Sequence, residues 1–345
     1  MITTIYPSDR TGMERVRALL EKENLRMDAN LDYTCAILDE AYNPIATGSC
    51  CGNTLRCFAV DHAHQGEGLL NEVLSHLMTV QQERGNAAVF LYTKGSSVRF
   101  FRDLGFHEIA RVSDMIVFLE NRRWGFSDYL SALQRESPAD AKNTAAVVMN
   151  ANPFTLGHLY LVEQAAAENE WVHLFTVSED VSLFPFAVRE RLIREGTAHL
   201  KNIVYHRTGS YMISQATFPS YFQKDEDAVI LSHAQLDIAV FSRIAQSLSI
   251  TRRYVGAEEA SRVTRLYNET MLKELPRTGI ACRIIPRKEH AGAPISASTV
   301  RRAIKCGDMD ILPSLVPPAT LAFLQSEESA AIRRKIAETT DVVHY

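Results

Sequence analysis

The chain lacks an excess of charge of either sign: Lys and Arg total 37 and Asp and Glu 41 among 345 residues, a formal net charge of −4. So even a balance offers no basic field for a phosphate backbone, and nucleic acid is not an expected partner. Long apolar runs are missing too. No stretch approaches the roughly 18 apolar residues that read as a membrane span, so no membrane is expected. Met1-Ile2-Thr3-Thr4-Ile5 is followed by Pro7, Ser8, Asp9 and Arg10, with no basic region ahead of an apolar one, so no secretion signal is read. Cysteine is sparse. The 6 cysteines, Cys35, Cys50, Cys51, Cys57, Cys282 and Cys306, form no CxxC pair and no zinc spacing. The neighbours Cys50 and Cys51 would make a strained disulfide. Six reduced thiols in a cytoplasmic protein are expected, with no protein-held metal. Repeats and low-complexity segments are absent. What is present is 46% hydrophobic residues, ample for buried cores in two domains.

Apolar spacing divides the chain into two α/β stretches. In the first, strands are expected at 33–38, 45–51, 55–60, 88–92 and 115–119, and helices at 13–23, 69–83 and 97–104. A polar stretch, 131–143, containing Ser137-Pro138-Ala139-Asp140, reads as a linker or a connecting helix end. Beyond it, strands at 145–149, 172–177, 203–206, 253–255 and 281–285 alternate with helices at 156–168, 187–199, 238–247 and 261–275. Such alternation predicts a parallel sheet covered on both faces. The expected domains are 1–130, a linker at 131–143, and 144–345.

Two short segments carry most of the chemical information. The first, Asn152-Pro153-Phe154-Thr155-Leu156-Gly157-His158, lies between a strand and a helix. A helix that starts there presents free N–H groups and a positive dipole end to an anion. Asn150, Asn152, Phe154 and Gly157 shape or line this turn, while Thr155 and His158 supply a hydroxyl and a ring N–H. The second, Ile295-Ser296-Ala297-Ser298-Thr299-Val300-Arg301, sets hydroxyls at another helix start and follows them with a permanent cation. Those hydroxyls read equally as ordinary helix caps. Arg189 and Arg191, in Phe184-Pro185-Phe186-Ala187-Val188-Arg189-Glu190-Arg191, read either as phosphate contacts or as an exposed helix face. Gly256, in Arg253-Tyr254-Val255-Gly256-Ala257-Glu258-Glu259, reads as a close approach to adenine or as a tight strand end, with Glu258 beside it.

The first segment resembles the HxGH signature of the nucleotidylyltransferase superfamily, with Thr155 at the first His position. The second resembles that superfamily's ISSTxxR signature, with Ala297 at the second Ser position. The resemblance implies a Rossmann-like domain in which Thr155, Gly157, His158, Ile295, Ser296, Ser298, Thr299 and Arg301 bind ATP. His158, Thr155 and Arg301 would be catalytic, and Mg²⁺ would sit on the phosphates. In the first stretch, Gln65-Gly66-Glu67-Gly68-Leu69-Leu70 and Ser97-Val98-Arg99-Phe100-Phe101-Arg102-Asp103-Leu104-Gly105-Phe106 resemble GNAT acyltransferases. That likeness implies a GNAT fold in which Gln65, Gly66 and Gly68 bind a CoA-type pantetheine arm. Leu70 departs from the pattern, standing where Gly or Ala usually allows close approach.

The order of the two stretches narrows the resemblance, together with the aromatic-rich Tyr211-Met212-Ile213-Ser214-Gln215-Ala216-Thr217-Phe218-Pro219-Ser220-Tyr221-Phe222, Val263-Thr264-Arg265-Leu266-Tyr267-Asn268 and Ile285-Pro286-Arg287. The chain resembles the citrate lyase ligases. These act on acetate, ATP and the acyl carrier (gamma) subunit of citrate lyase, acetylating its prosthetic-group thiol by way of acetyl-AMP. Two alternatives stay open at this point: an adenylyltransferase acting on a phosphorylated metabolite such as phosphopantetheine, and a GNAT N-acetyltransferase.

Overall fold

The computed structural model describes residues 2–28, 30–139, 141–212, 226–258 and 261–340. The aromatic-rich stretch from 213 to 222, and Glu259, lie outside the described residues. Two compact units are formed, one by residues 1–129 and 215–240, the other by 130–214 and 241–345.

The first unit is built on seven strands: β1 (Ile2–Thr4), β2 (Tyr33–Leu38), β3 (Pro44–Cys51), β4 (Thr54–Val60), β5 (Phe90–Thr93), β6 (His107–Val112) and β7 (Ile116–Glu120), in the order β1-β2-β3-β4-β5-β7-β6. Helix α1 (Arg10–Lys22) covers one face. Its Val16, Leu19 and Leu20, spaced to fall on one side, pack with Ala36, Cys57 and Ala59. Helix α2 (Leu69–Glu83) sets Val73, Leu74 and Leu77 against Cys35, Ile37, Leu91 and Leu119. A short α3 (Val98–Asp103) adds Phe101 to the same cluster.

All the pairings in this sheet are antiparallel except β4 with β5. That parallel pair is joined only at Thr54↔Phe90 and Leu55↔Leu91, although β4 runs on to Val60 and β5 to Thr93. The strands therefore part, and a cavity of about 570 Å³ opens there, lined by Phe58, Val60, Tyr92, Phe101, Gly66 and Gly68. Gly66 and Gly68 have φ of +90° and +78°, a left-handed backbone that turns the loop into the start of α2.

The polar stretch 131–143 is not loop throughout: helix α4 (Gly125–Glu136) occupies its first part. Strands and helices then alternate strictly, with β8 (Thr144–Met149), α5 (Leu156–Glu168), β9 (Trp171–Thr176), α6 (Phe186–Gly196), β10 (Ile203–Arg207), α7 (Glu226–Ser247), β11 (Ile250–Gly256), α8 (Arg262–Glu274) and β12 (Ala281–Ile285); all belong to the second unit except α7 up to residue 240, which groups with the first. A small hairpin, β13 (Glu289–His290) and β14 (Ala293–Pro294), leads to α9 (Ala297–Cys306), α10 (Pro318–Gln325) and α11 (Ala330–Glu338). The five long strands are all parallel, in the order β10-β9-β8-β11-β12. Val147 and Leu174 of the sheet, Val162 of α5, Leu192 and Ile193 of α6, Val300 of α9 and Leu324 of α10 share one buried cluster.

The stretch from Asp227 into 238–247 is one continuous helix, α7. Its Asp227–Ser247 span is by length and composition apolar enough to cross a membrane, and it is mostly buried.

A buried relay in this unit sets a pH dependence. His173 on β9 and His206 on β10 stack with ring centres 5.2 Å apart, Nδ1 of the first lying 2.9 Å from Nε2 of the second. Nδ1 of His206 donates to the Glu136 carboxylate at 2.8 Å. Its Nε2 therefore accepts from His173, whose own Nε2 is a buried nitrogen with no partner among the described residues. Burial, and then the neighbouring His206, push His173 down to about 3; burial also lowers His206, against the pull of Glu136. Both folded-state pKa values thus lie below the unfolded value of about 6.5, so below that pH the unfolded chain binds more protons. Stability is fully present above about pH 6.5 and is expected to fall as pH drops, by up to about 1.4 kcal/mol per pH unit for each ring. Urea unfolding across this range checks the sign, and a stability that holds or rises on acidification would contradict it.

Candidate active site

In the five-stranded sheet the chain runs from β8 outward through β9 to β10 on one side, and through β11 to β12 on the other. Crevices form at such a reversal, outside the carboxyl ends of the strands. Helix α5 begins there, seven residues after the end of β8, as the numbering gives. Thr155 caps it, its hydroxyl accepting from the N–H of His158 at 3.3 Å. Nδ1 of His158 accepts in return from the N–H of Thr155 at 3.1 Å. A backbone N–H can only donate, so the neutral ring carries its proton on Nε2. Burial, and then the charges of Arg287 and Arg301, push His158 down to about 4. At neutral pH this residue is an uncharged donor. Its ring lies 5.9 Å from that of Phe154 at 14°, and Phe154 is fully buried.

Helix α9 starts beside it. Ser296 caps α9 by accepting from the N–H of Thr299 at 3.1 Å, and its hydroxyl lies 2.8 Å from those of both Ser298 and Thr299. The two helix starts meet at Gly157, where a Cβ would stand 2.6 Å from the carbonyl oxygen of Ile295. Only glycine permits that approach. A second tie is made by Arg301, buried in α9, whose Nη1 donates to the carbonyl of Asn152.

In α5 the N–H of Leu156 goes to the Leu315 carbonyl at 2.9 Å and that of His158 to Thr155. The N–H of Gly157 has no partner among the described residues, and nor do those of Ala297 and Ser298 in α9. Three unengaged N–H groups, two positive helix ends and the Nε2–H of His158 converge on one rim, an arrangement suited to a polyanion.

The residues expected from sequence separate into two groups. Gly157, His158, Ser296, Ser298 and Thr299 lie at the two helix starts and keep some exposure. Asn152, Phe154, Thr155, Ile295 and Arg301 are buried and hold those groups in place. Asn152 accepts from the N–H of Phe184 at 3.0 Å, and the side chain of the exposed Asn150 pairs with Ser182 at 2.9 Å. Gly256 ends β11, with its carbonyl accepting from Asn268 at 3.0 Å and open space where a Cβ would be.

Arg189 and Arg191 are not brought to the site. Arg189 is wholly buried and donates to the carbonyls of Phe184, Asn150, Val177 and Glu179, so its fork is spent on bracing the loops. Arg191 pairs with both oxygens of Glu328 at 2.9 Å.

Arg287 was missed. It lies two residues past β12, on the same rim, donating from Nε to the Ala257 carbonyl at 2.6 Å and from Nη2 to Glu258. The signal was a cation pair, Arg287-Lys288, just beyond the carboxyl end of a strand in a parallel sheet.

In the first unit, Gly66 and Gly68 stand at the cavity with Gln65, at the start of α2.

Fold and rim together define an α/β protein with a GNAT-like unit followed by a Rossmann-like unit of the nucleotidylyltransferase type. The model of the citrate lyase ligase C-terminal domain matches residues 144–324. [Citrate [pro-3S]-lyase] ligase of Klebsiella pneumoniae is 38% identical over 321 residues, covering 92% of this chain and 93% of that protein. Its counterpart in Escherichia coli (strain K12) is 34% identical over 347 residues, covering 97% and 98%. The crystal structure of a GNAT-family acetyltransferase from Staphylococcus aureus Mu50 covers 35% of this chain and 98% of its own, with 15% identity and a TM-score of 0.30. The chain belongs to the citrate lyase ligase family, and it is a ligase.

Proposed function

We propose that this chain activates citrate lyase by acetylating the prosthetic-group thiol of its acyl carrier subunit, with ATP as the energy source and acetate as the acyl donor. The observation that carries this reading is the meeting of two helix N-termini at Gly157 and Ile295, with a neutral Nε2–H donor beside them. In the first step an acetate oxygen attacks the α-phosphorus of ATP. The bond to the β-phosphate oxygen breaks, and pyrophosphate leaves, giving acetyl-AMP. Acetate is already an anion at neutral pH, so no base is required; the work is positioning and shielding of charge. His158 donates to the phosphate, the N–H groups of Gly157, Ala297 and Ser298 and the hydroxyls of Ser298 and Thr299 hold the remaining oxygens, and Arg301 and Thr155 fix this frame. Gly256 and Glu258 border the nucleoside. In the second step the carrier thiol, losing its proton to solvent, attacks the acetyl carbonyl and expels AMP.

Glu258, beside this rim, is tied to Arg287. Mg²⁺ would therefore be held mainly by phosphate oxygens and water, where it neutralises triphosphate charge. The six free cysteines suit a reducing, cytoplasmic setting.

The cavity of the first unit takes the pantetheine arm of the carrier. Apolar walls from Phe58, Val60 and Phe101 suit such a chain, and the Gly66–Gly68 turn at the start of α2 suits its pyrophosphate. A Gly68→Trp variant, bulky at the cavity edge, is expected to retain acetate-dependent exchange of labelled pyrophosphate into ATP while losing most transfer to the carrier. Unimpaired transfer would remove the arm from this cavity. Absence of acetate-dependent exchange in the wild-type protein would overturn the adenylation step itself.

A further inference from the structure

The arginines of the second unit differ in how much of their hydrogen-bonding capacity is already committed. Arg189 spends four N–H groups on carbonyls, and Arg301 is buried and donates to Asn152. Arg287 is different. Its side chain is 31% exposed and makes two bonds, to the Ala257 carbonyl and to Glu258, leaving three of its five N–H groups without a partner among the described residues.

Its place in the fold ties it to the two helix starts. β12 pairs with β11 so that Ile285 lies opposite Gly256, and Ala257 donates to Ile285 at 2.8 Å. Two residues on, Arg287 closes over the end of β11. The next residue, Lys288, accepts from the N–H of Ile295 at 2.9 Å. Ile295 is the residue whose carbonyl meets Gly157, directly before His158. One continuous set of contacts therefore joins Arg287 to both helix N-termini, and its charge is felt at His158.

We propose that Arg287 is a further catalytic residue of the adenylation step, its unengaged guanidinium N–H groups donating to the triphosphate oxygens that gain charge as pyrophosphate departs, with Glu258 as the positioning residue that aims it. The assignment rests on the ATP reading given above. The step balances without proton transfer: the acetate–phosphorus bond forms, the bond to the β-phosphate oxygen breaks, and the electron pair leaves on pyrophosphate. A planar fork suits this task because two N–H groups can meet two oxygens at once. Glu258 holds one edge of the fork and offsets its charge while the other edge faces the rim.

The test is acetate-dependent pyrophosphate–ATP exchange by purified full-length protein, with kcat and the KM for ATP measured separately and thermal melting recorded in parallel. Arg287→Ala is expected to lower kcat about 10- to 100-fold, the effect of losing a charge-assisted hydrogen bond. Arg287→Lys, which keeps the charge but not the fork, is expected to recover part of that loss. Glu258→Gln cuts the ion pair and keeps the cation, so its loss should be several-fold smaller than that of Arg287→Ala. Wild-type kcat in Arg287→Ala would overturn the proposal. So would equal losses in Arg287→Ala and Glu258→Gln, since Arg287 would then be only a clamp between the two loops. A wild-type protein with no acetate-dependent exchange would overturn the ATP reading and this assignment with it.

Discussion

His158→Ala should lower the rate of acetate-dependent AMP formation by about two to three orders of magnitude, the usual effect of removing one pre-set donor from a transition state. The size of the effect follows from how completely this ring is prepared. Its Nδ1 is fixed as an acceptor by the N–H of Thr155 at 3.1 Å, its face lies along buried Phe154, and its Nε2 is left carrying the proton. Nothing needs to reorganise when charge develops on the phosphate. With its pKa pushed down to about 4, the ring also stays neutral through the range in which an ordinary histidine titrates. The wild-type rate should therefore show no inflection from His158 near pH ~6.5. The variant should fold normally, because Thr155 can still cap α5 through the backbone N–H of residue 158. A fall smaller than about tenfold would deny the ring a role in the transition state.

Gly157→Ala is the second large effect, and it separates activity from stability. The added methyl would lie 2.6 Å from the Ile295 carbonyl oxygen, a backbone atom that cannot swing aside. The two helix starts must separate. Overpacking of this kind costs about 1–3 kcal/mol. Replacing a helical glycine with alanine returns about 1 kcal/mol of propensity, so the net destabilisation should be modest. Catalysis has no such compensation. Displacing aligned groups by an ångström costs about 10²-fold, and the groups displaced are the N–H donors of both helices. A rate loss of about two orders of magnitude with a stability change of less than about 2 kcal/mol is expected, read from exchange kinetics and urea unfolding. An unchanged rate would mean that the close approach of the two segments does not matter to the chemistry.

Much of the architecture was legible because apolar spacing is a local property. The 3.6-residue spacing of Val73, Leu74 and Leu77 defined α2 as Leu69–Glu83, and α5, β2 and β12 likewise run over the ranges read from the sequence. The strand β6 was not read: its residues His107–Val112 are only partly buried along its length, so they lack a strong apolar signal. The helices α10 and α11 are short and gain their stability from the shared cluster through Leu324 and Ile336, contacts that no local window contains. The helix expected at 238–247 begins earlier, α7 running from Glu226 to Ser247.

At the site, the two signatures were visible as segments, but their division of labour was not. Arg189, open from sequence as a phosphate contact or an exposed face, instead shares the buried face of α6 with Leu192 and Ile193, at spacings of three and four. Its four carbonyl partners come from two loops, one after β8 and one between β9 and α6, and could not be named from the sequence. Arg287 gains its meaning from Glu258, 29 residues away in sequence, and so from the pairing of β11 with β12. Which candidate faces the rim and which braces it is a tertiary property.

The central claim is that the rim activates acetate with ATP and passes the acetyl group to the carrier thiol. It is tested most directly by incubating the protein with ATP, Mg²⁺, acetate and deacetylated citrate lyase, and following AMP and lyase activity together. The account predicts AMP released in step with restored lyase activity, with neither seen when acetate is omitted. Lyase activity restored without AMP, or ATP left untouched while the lyase stays inactive, would contradict it.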